Sequence, residues 1–257
     1  MGNNKICVSL GTNDINLLKS MVNESLNSNT DFIEIRFDFF EKSAMNDALE
    51  VVLDHKDRAV FTCRANNEGG KYSGTETDRI TTLRRLAAFR PMLLDVEYNT
   101  MKNNEDLLDQ FTALNCDILV SWHNFEQTPS RDELANLIDK IKEYSNNIKI
   151  VTMAKSIDDS ISVLKLYDHA NASNVNLIAF CMGENGILSR VLCTYAGARF
   201  TYASLAEAIA PGQLTVKQMQ TIYGKLDREK PELNDYNSWK ERQDFNDILK
   251  LISDVSV

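Results

Sequence analysis

Residues 117–153 read DILVSWHNFEQTPSRDELANLIDKIKEYSNNIKIVTM, and the order of patterns in this stretch gives the first indication of the fold. It opens with a β-rich run, and Glu133 then follows Ser130 by three residues, which is the spacing of a helix capping box. Apolar residues next recur at steps of three and four, and a second β-rich run ends the stretch at Ile148–Met153. Strand, helix and strand in this order predict two parallel strands joined by a right-handed crossover.

The same alternation extends along the whole chain of 257 residues. Eight strand candidates occur, each followed by a helical pattern: Lys5–Leu10, Phe32–Phe37, Ala59–Arg64, Met92–Tyr98, Asp117–Trp122, Ile148–Met153, Val175–Met182 and Arg199–Ser204. They predict an α/β fold of the (β/α)8 TIM-barrel type. An open doubly wound sheet is the alternative, but its usual G-x-G-x-x-G fingerprint is absent after the first strand. The last segment breaks the rhythm, so we predict a barrel over residues 1–226 and a helical extension over 227–257.

Composition and charge narrow the class of protein. The net charge of −9 repels nucleic acid and anionic membranes, so we expect neither as a partner. The apolar run near the start is too short for a signal peptide, and no run of 18 apolar residues predicts a membrane span. The five cysteines include no C-x-x-C pair, which favours buried free thiols and a cytoplasmic location.

Ionisable residues occupy strand positions that should face the barrel interior. Strand side chains alternate between faces, and the apolar neighbours of these residues suit the helix layer. An isolated buried charge costs on the order of several kcal/mol, so the pattern indicates either an ion-pair network or a polar pocket for a small hydroxylated anion. The residues are Glu34, Arg36, Asp38, Arg64, Asp95, Glu97, His123 and Lys149.

Lys149 is the leading nucleophile candidate. Burial and the expected proximity of Arg36 and Arg64 would disfavour its charged form, and a free amine attacks a ketone to give an iminium. The alternative is a lysine at a strand start with its ammonium in solvent. Lys71 and Lys155 compete for the role, but both fall in predicted loops.

His123 ends a strand at the face where barrel enzymes keep their chemistry. An imidazole there suits a group that both takes and gives a proton, although a structural core histidine would show the same pattern. His55 and His169 fall elsewhere in the predicted fold. Glu68, in the loop after the third strand, is placed to orient the imidazole.

Arg190 is a candidate anion ligand, since it falls in the first turns of a helix that follows Gly183–Gly186. A helix N-terminus favours an anion, and a guanidinium adds two hydrogen bonds to a carboxylate. A surface arginine is the alternative. Two long loops after strands, from Ala65 to about Thr77 and from about Leu205 to Leu214, are candidate lids.

Seven motifs in order resemble the type I 3-dehydroquinate dehydratase family, from about Lys5 to Leu226. They are Glu34-x-Arg36-x-Asp38, Thr62-x-Arg64 with Glu68-Gly69-Gly70, Asp95-x-Glu97, Ser121-x-His123-x-Phe125, Lys149-x-x-x-Met153, Gly186-x-x-Ser189-Arg190 and Ala210-Pro211-Gly212-Gln213. No single motif is decisive. Their common order, each on the expected strand or loop, is what makes the resemblance specific.

The resemblance implies a reaction and a set of roles. Lys149 would form an iminium with the C3 ketone of 3-dehydroquinate, and His123 would carry the C2 proton to the departing C1 hydroxyl. This syn elimination would give 3-dehydroshikimate, and it is the third step of the shikimate pathway to chorismate and the aromatic amino acids. The resemblance implies no metal or organic cofactor, and a homodimer. The resemblance also implies that Glu68 pairs with the histidine and that Arg190 binds the substrate carboxylate, with Gln213 nearby. Glu34, Arg36 and Arg64 would bind hydroxyl groups, and Ser9 would line the pocket.

Two departures from the family pattern are visible. Ile209 stands where the family usually has serine, which puts substrate closure by that loop in doubt. The family's N-terminal hairpin has no room before Lys5. The alternatives are a class I aldolase-type barrel, a non-catalytic barrel that binds a small anion, and a metal-dependent lyase using Glu34, Asp38 and Asp95.

Overall fold

A computed structural model describes residues 4–206, 210–229 and 245–256. Its strands form one parallel sheet in the order β7-β6-β5-β4-β3-β2-β1-β8. The bounds are β1 Ile6–Leu10, β2 Phe32–Arg36, β3 Ala59–Thr62, β4 Leu93–Glu97, β5 Ile118–His123, β6 Asn147–Met153, β7 Asn176–Met182 and β8 Thr201–Ala203. Phe180 on β7 and Tyr202 on β8 have ring centroids 6.1 Å apart, so the two end strands approach each other and nearly close a barrel. The predicted TIM-barrel fold is confirmed.

Helices surround this sheet on its outer side. Their bounds are α1 Ile15–Asn27, α2 Met45–Val52, α3 Glu76–Ala88, α4 Tyr98–Lys102, α5 Leu107–Ala113, α6 Arg131–Ile141, α7 Ile157–Leu164, α8 Leu166–Ala172, α9 Ile187–Ala196, α10 Val216–Glu229 and α11 Phe245–Ser256. The capping box predicted at Ser130 and Glu133 is present at the start of α6. Helical stripes of aliphatic residues, such as Leu134 and Ile138 of α6, are buried against the sheet.

Most strand bounds agree with the predictions to within one residue, and the larger differences are at β3, at β8 and in the helical segment after β6. Strand β3 ends at Thr62, two residues early, because a 3-10 turn over Asn66–Glu68 redirects the chain. The helical segment after β6 is divided into α7 and α8 at Lys165. The predicted C-terminal helix is α11, which buries Ile248 and Ile252.

Two further expectations concern membrane-spanning segments and the cysteines. No helix in the described part of the chain is long and apolar enough to cross a membrane. All five cysteines are buried free thiols, as the sequence indicated.

Tyr167 of α8 anchors its helix to the edge of β7 that is not paired with another strand. Its hydroxyl donates to the carbonyl of Ala179 at 3.1 Å and accepts from the Ala179 N–H at 2.8 Å. The side chain is 1% exposed, so water cannot replace these bonds. One phenol therefore satisfies the two backbone groups that an adjacent strand would otherwise pair.

Tyr167→Phe is expected to lower the free energy of unfolding by about 1–3 kcal/mol, because it leaves a buried N–H and a buried carbonyl unpaired. Urea denaturation measures the loss. Tyr144→Phe is the control, because that half-buried ring, 5.9 Å from the Tyr98 ring, should tolerate the change within about 0.5 kcal/mol. Equal losses in the two variants would contradict the anchoring role of the Tyr167 hydroxyl.

Candidate active site

A cavity of about 240 Å³ lies inside the barrel at the carboxyl ends of the strands. Every residue proposed from the sequence as catalytic or substrate-binding lines it: Ser9, Glu34, Arg36, Arg64, Glu68, His123, Lys149, Arg190 and Gln213. These residues come from six strands or the loops that follow them and from helix α9. The parallel topology brings them together, because the carboxyl ends of all strands meet at one face.

The amine of Lys149 lies between two carboxylates. Its Nζ is 3.1 Å from Oδ2 of Asp95 and 3.8 Å from Oε1 of Glu34. The ring centroid of Tyr202 lies 4.3 Å from Nζ, within the range of a cation–π contact. Arg64 lies close to this amine, because both contact Oδ2 of Asp95. The sequence did not indicate that a carboxylate stands between the two cations, and Arg36 is paired with Asp38.

Asp95 joins Lys149 to Arg64. The NH2 group of Arg64 is 2.7 Å from Oδ2 of Asp95, the same oxygen that faces Lys149. Ser121 donates to Oδ1 of Asp95 and accepts from NH1 of Arg64, each at 2.6 Å. Burial would raise the pKa of Asp95, but the charges of Arg64 and Lys149 outweigh it and hold this pKa well below its usual range. Asp95 is therefore a fixed anion.

Glu34 occupies the opposite side of Lys149. Its carboxylate accepts hydrogen bonds from the hydroxyls of Ser9 at 2.6 Å and Thr62 at 2.8 Å. Arg36 lies nearby, and its guanidinium makes a bidentate contact with Asp38 at 2.8 and 2.7 Å. Asp38 also accepts from the backbone N–H of Lys71 at 2.9 Å, which ties the loop after β3 to β2. Asp38 is buried but is not among the residues that line the cavity.

The carboxylates considered as metal ligands are thus each engaged by other groups. Glu34 faces two hydroxyls and Lys149, Asp38 faces Arg36, and Asp95 faces Arg64 and Lys149. Over the described ranges, no three His, Cys, Asp or Glu side chains converge on a point that could hold a metal ion. The arrangement is that of an ion-pair layer and does not match the ligand set of the metal-dependent alternative.

His123 and Glu68 form a second pair across the cavity. The Nδ1 atom of His123 is 3.4 Å from Oε2 of Glu68, and Asn99 donates to the other carboxyl oxygen at 3.2 Å. Burial, together with the charges of Arg64 and Lys149, holds the pKa of His123 well below its usual value. Burial and the charge of Glu97 raise the pKa of Glu68 to about 7, against the opposing influence of Arg64. Near neutral pH the imidazole is therefore uncharged and able to accept a proton.

The guanidinium of Arg190 reaches the cavity with two of its donor groups unpaired among the described residues. Arg190 is 1% exposed, and its Nε and NH2 groups have no hydrogen-bond partner among the described residues. Its guanidinium lies 4.3 Å from the ring centroid of Phe180. Burial lowers the pKa of Arg190 to about 10, which leaves it cationic at neutral pH. The Gly183–Gly186 turn was expected to contribute backbone N–H groups, but within the described chain it does not line the cavity.

The two loops predicted as lids both reach the cavity. Gly69 has φ +77°, and a Cβ there would lie 2.6 Å from Cζ of Phe125, whose ring stacks beside His123. In the second loop, Ala210, Pro211 and Gln213 line the cavity. A Cβ at Gly212 would lie 2.4 Å from the carbonyl oxygen of Gly183, so only glycine permits this approach. The Ile209 position lies outside the described residues.

Several cavity residues were not identified from the sequence as functional. Val151, Phe180, Met182 and Tyr202 form an apolar wall on β6, β7 and β8. Period-two alternation from Lys149 places Val151 on the same face, so this residue could have been found. The other residues carry no such signal, because aromatic and aliphatic side chains on strands are usually core.

Glu68→Gln is expected to change stability in a pH-dependent way. A carboxyl whose folded pKa is raised contributes stability below its unfolded pKa of about 4.3, and this contribution is lost as the pH rises through about 7. Relative to wild type, the variant should therefore gain about 2–3 kcal/mol of stability between pH 5 and pH 8.5. Urea denaturation at the two pH values measures this gain.

Leu17→Ala provides the control, because Leu17 is half exposed on α1 and its replacement changes no titrating group. Its stability difference from wild type should be equal at the two pH values. A pH-independent difference for Glu68→Gln as well would contradict the raised pKa of Glu68.

Comparison with known proteins agrees with this geometry. A family model for type I 3-dehydroquinase matches residues 6–230. A 3-dehydroquinate dehydratase of Dehalococcoides mccartyi is 41% identical over 201 residues, which cover 77% of this chain and 87% of the relative. One from Desulfotalea psychrophila is 32% identical over 230 residues, covering 88% and 99%.

Solved structures show the same fold. The 3-dehydroquinate dehydratase of Geobacillus kaustophilus superposes with a TM-score of 0.77 at 22% identity, covering 88% of this chain and 92% of that one. At that identity the likeness speaks for the fold alone, and the family follows from the sequence matches. The chain belongs to the type I 3-dehydroquinase family, whose members are 3-dehydroquinate dehydratases.

Proposed function

We propose that this chain dehydrates 3-dehydroquinate to 3-dehydroshikimate through an iminium on Lys149, with His123 as the proton carrier. The reaction is the activity of the family to which the chain belongs. The observation that carries the assignment of residues is the placement of one buried lysine and one uncharged histidine on the neighbouring strands β5 and β6, in one cavity.

The first step is the attack of the Lys149 amine on the C3 ketone, which forms a carbinolamine and then loses water to give the iminium. Attack requires the free amine. Arg64 and Lys149 share one oxygen of Asp95, and two cations on one oxygen disfavour each other.

The second step is the loss of water from the substrate. The iminium withdraws electrons and acidifies the C2–H bond, and uncharged His123 takes this proton. The electron pair left at C2 forms the C1–C2 double bond as the C1 hydroxyl departs, and the imidazolium donates its proton to that hydroxyl. Glu68, next to Nδ1 of His123, supports the transient positive charge. Hydrolysis of the product iminium then releases 3-dehydroshikimate and restores Lys149.

Substrate binding is assigned to the remaining polar groups. Arg190 holds the carboxylate through its unpaired Nε and NH2 donors, with Gln213 nearby. Ser9, Glu34, Arg36 and Arg64 contact hydroxyl groups. Arg190 brings to the cavity a positive charge that no carboxylate of the described residues balances, which suits a small anion rather than a neutral sugar.

We also propose the cellular setting and organisation of the enzyme. Five buried free thiols support a reducing, cytoplasmic location. The family resemblance supports a homodimer, which sedimentation analysis would distinguish from a monomer. We propose that residues 1–226 form the catalytic barrel and residues 227–257 a helical extension, although α10 continues across this boundary to Glu229.

Borohydride reduction in the presence of 3-dehydroquinate should trap an adduct on Lys149, identified by peptide mass spectrometry. Lys149→Ala should abolish both the adduct and turnover, since no other amine lines the cavity within the described chain. His123→Ala should keep the adduct but lower turnover by about 10²–10⁴-fold, the usual contribution of general acid–base catalysis.

Lys155→Ala is the control for trapping, because Lys155 is exposed just beyond β6. Its adduct and rate should equal those of the wild type. Dehydration by wild type without an adduct would overturn the iminium, and an unchanged rate in Lys149→Ala would overturn the role of Lys149. Cleavage of aldol substrates in place of dehydration would favour the aldolase alternative.

Arg190→Ala should mainly weaken binding and raise KM, because it removes the charged donors assigned to the substrate carboxylate. A charge-assisted pair is worth about 1.5–3 kcal/mol, so KM should rise about 10- to 150-fold. Steady-state kinetics measure the change, with Arg228→Ala on the exposed side of α10 as the control. A fall in kcat with unchanged KM would contradict the carboxylate-binding role.

A further inference from the structure

We propose that Arg79 and Glu97, which lie outside the cavity, are positioning residues that determine how readily Lys149 gives up its proton. They act through Arg64, whose hold on Asp95 depends on how strongly Glu97 competes for it. The proposal rests on the proposed iminium chemistry of Lys149. Arg79 belongs to an outer helix and does not line the cavity, so its contacts with the cavity alone would not indicate this role.

Arg79 belongs to α3 but is buried to 1% exposure between the helix layer and the sheet. Its NH1 group donates to Oε2 of Glu97 at 2.7 Å and to the backbone carbonyl of Cys63 at 2.9 Å. Its Nε and NH2 groups make a bidentate contact with the half-exposed Glu76, at 2.8 and 2.7 Å. Arg79 therefore delivers a fixed positive charge to Glu97.

Glu97 is the inner partner of Arg79 and is itself buried to 1% exposure. Its other oxygen, Oε1, lies 3.3 Å from NH1 of Arg64 and accepts the backbone N–H of Ala65 at 3.0 Å. Arg64 then reaches Oδ2 of Asp95 at 2.7 Å, and this oxygen faces Lys149 at 3.1 Å. We call Arg79, Glu97, Arg64, Asp95 and Lys149 the ion-pair chain, in which the sign of charge alternates at each contact.

The ion-pair chain divides Arg64 between two carboxylates. Arg79 neutralises Glu97, so the shorter contact of Arg64 goes to Asp95. Without the charge of Arg79, Glu97 would attract Arg64 more strongly, and Asp95 would act more fully on Lys149. The ammonium of Lys149 would then be stabilised and iminium formation slowed. Without the charge of Glu97, the opposite would follow.

Other groups face Lys149 from the remaining strands and stay constant in this comparison. Glu34 on β2 contributes a carboxylate, and the ring of Tyr202 on β8 contributes its face. Cys7 on β1 remains a thiol, because burial raises its pKa well above the usual value. His123 on β5 remains uncharged near neutral pH. None of these groups contacts Arg79 or Glu97. Glu68 does respond to Glu97, whose charge helps to raise its pKa to about 7, so Glu97→Gln is also measured in a Glu68→Gln background, where only the ion-pair chain is changed.

The experiment measures the rate of iminium formation with 3-dehydroquinate from pH 5 to pH 10, by quenching in borohydride and reading the reduced adduct by intact mass. Arg79→Gln should move the half-maximal rate to higher pH by about one unit, roughly tenfold in rate on the acid side. Glu97→Gln should move it to lower pH by a similar amount. The double variant, which removes a neutral pair, should return close to the wild-type profile.

Arg84→Gln is the matched control, because Arg84 is an exposed arginine of the same helix bonded to Gln110. Its profile should equal that of the wild type. Arg79→Lys retains the charge with fewer donors and should shift the pH profile only slightly. If Arg79→Gln does not fold, Arg79→Lys and Glu97→Gln together test the proposal. A purely structural role would lower stability without opposite pH shifts, and that result would overturn the proposal. Absence of any adduct in wild type would instead overturn the proposed function.

Discussion

One carboxylate oxygen, Oδ2 of Asp95, faces both Arg64 and Lys149 and joins the charged groups inside the barrel. Two cations against one buried oxygen would be unstable in isolation, since each ion loses its hydration on burial. The surrounding groups resolve this conflict. Ser121 bonds to the other oxygen of Asp95, and Glu34 provides a second anion on the far side of Lys149. The amine of Lys149 is thereby buried between two carboxylates, which it shares with Arg64 on one side and with the hydroxyls of Ser9 and Thr62 on the other.

The parallel barrel makes such a layer possible because its strands present alternate residues to one interior. The outward residues of β6, Ile148 and Ile150, are fully buried against helices, and the inward Lys149 faces a polar centre. The free energy of folding thus comes from the sheet–helix interface, where apolar burial is complete. The interior face near the carboxyl ends of the strands therefore does not have to supply apolar burial. It can carry ions whose net contribution to stability is small, provided that each has a partner.

The sequence was sufficient for the fold and for the charged residues that line the cavity, but not for the apolar wall of the cavity or for the pairing of its charges. Alternation with period two places Glu34, Arg64 and His123 inside, and it needs no knowledge of neighbouring strands. Partners across strands depend on register and on how far long side chains extend. For that reason the sequence placed Arg36 and Arg64 near Lys149 but did not identify Asp95 and Glu34 as the groups that contact its amine. The contact of Arg79 with Glu97 could not be predicted either, because a helix pattern does not indicate that a side chain extends inward to β4.

The arginines of the cavity divide into two kinds, and this division indicates what the cavity binds. Arg36 and Arg64 each have a carboxylate within 2.8 Å, so their charge is already balanced within the protein. Arg190 has none of this compensation among the described residues, and burial lowers its pKa to about 10 without neutralising it. A buried cation with unpaired donors is unfavourable in the free protein and becomes favourable when an anion completes its hydrogen bonds. Under the proposed function, binding energy would therefore be concentrated at the carboxylate end of the substrate, where Arg190 lies beside Phe180, and away from the lysine and histidine assigned to the reaction.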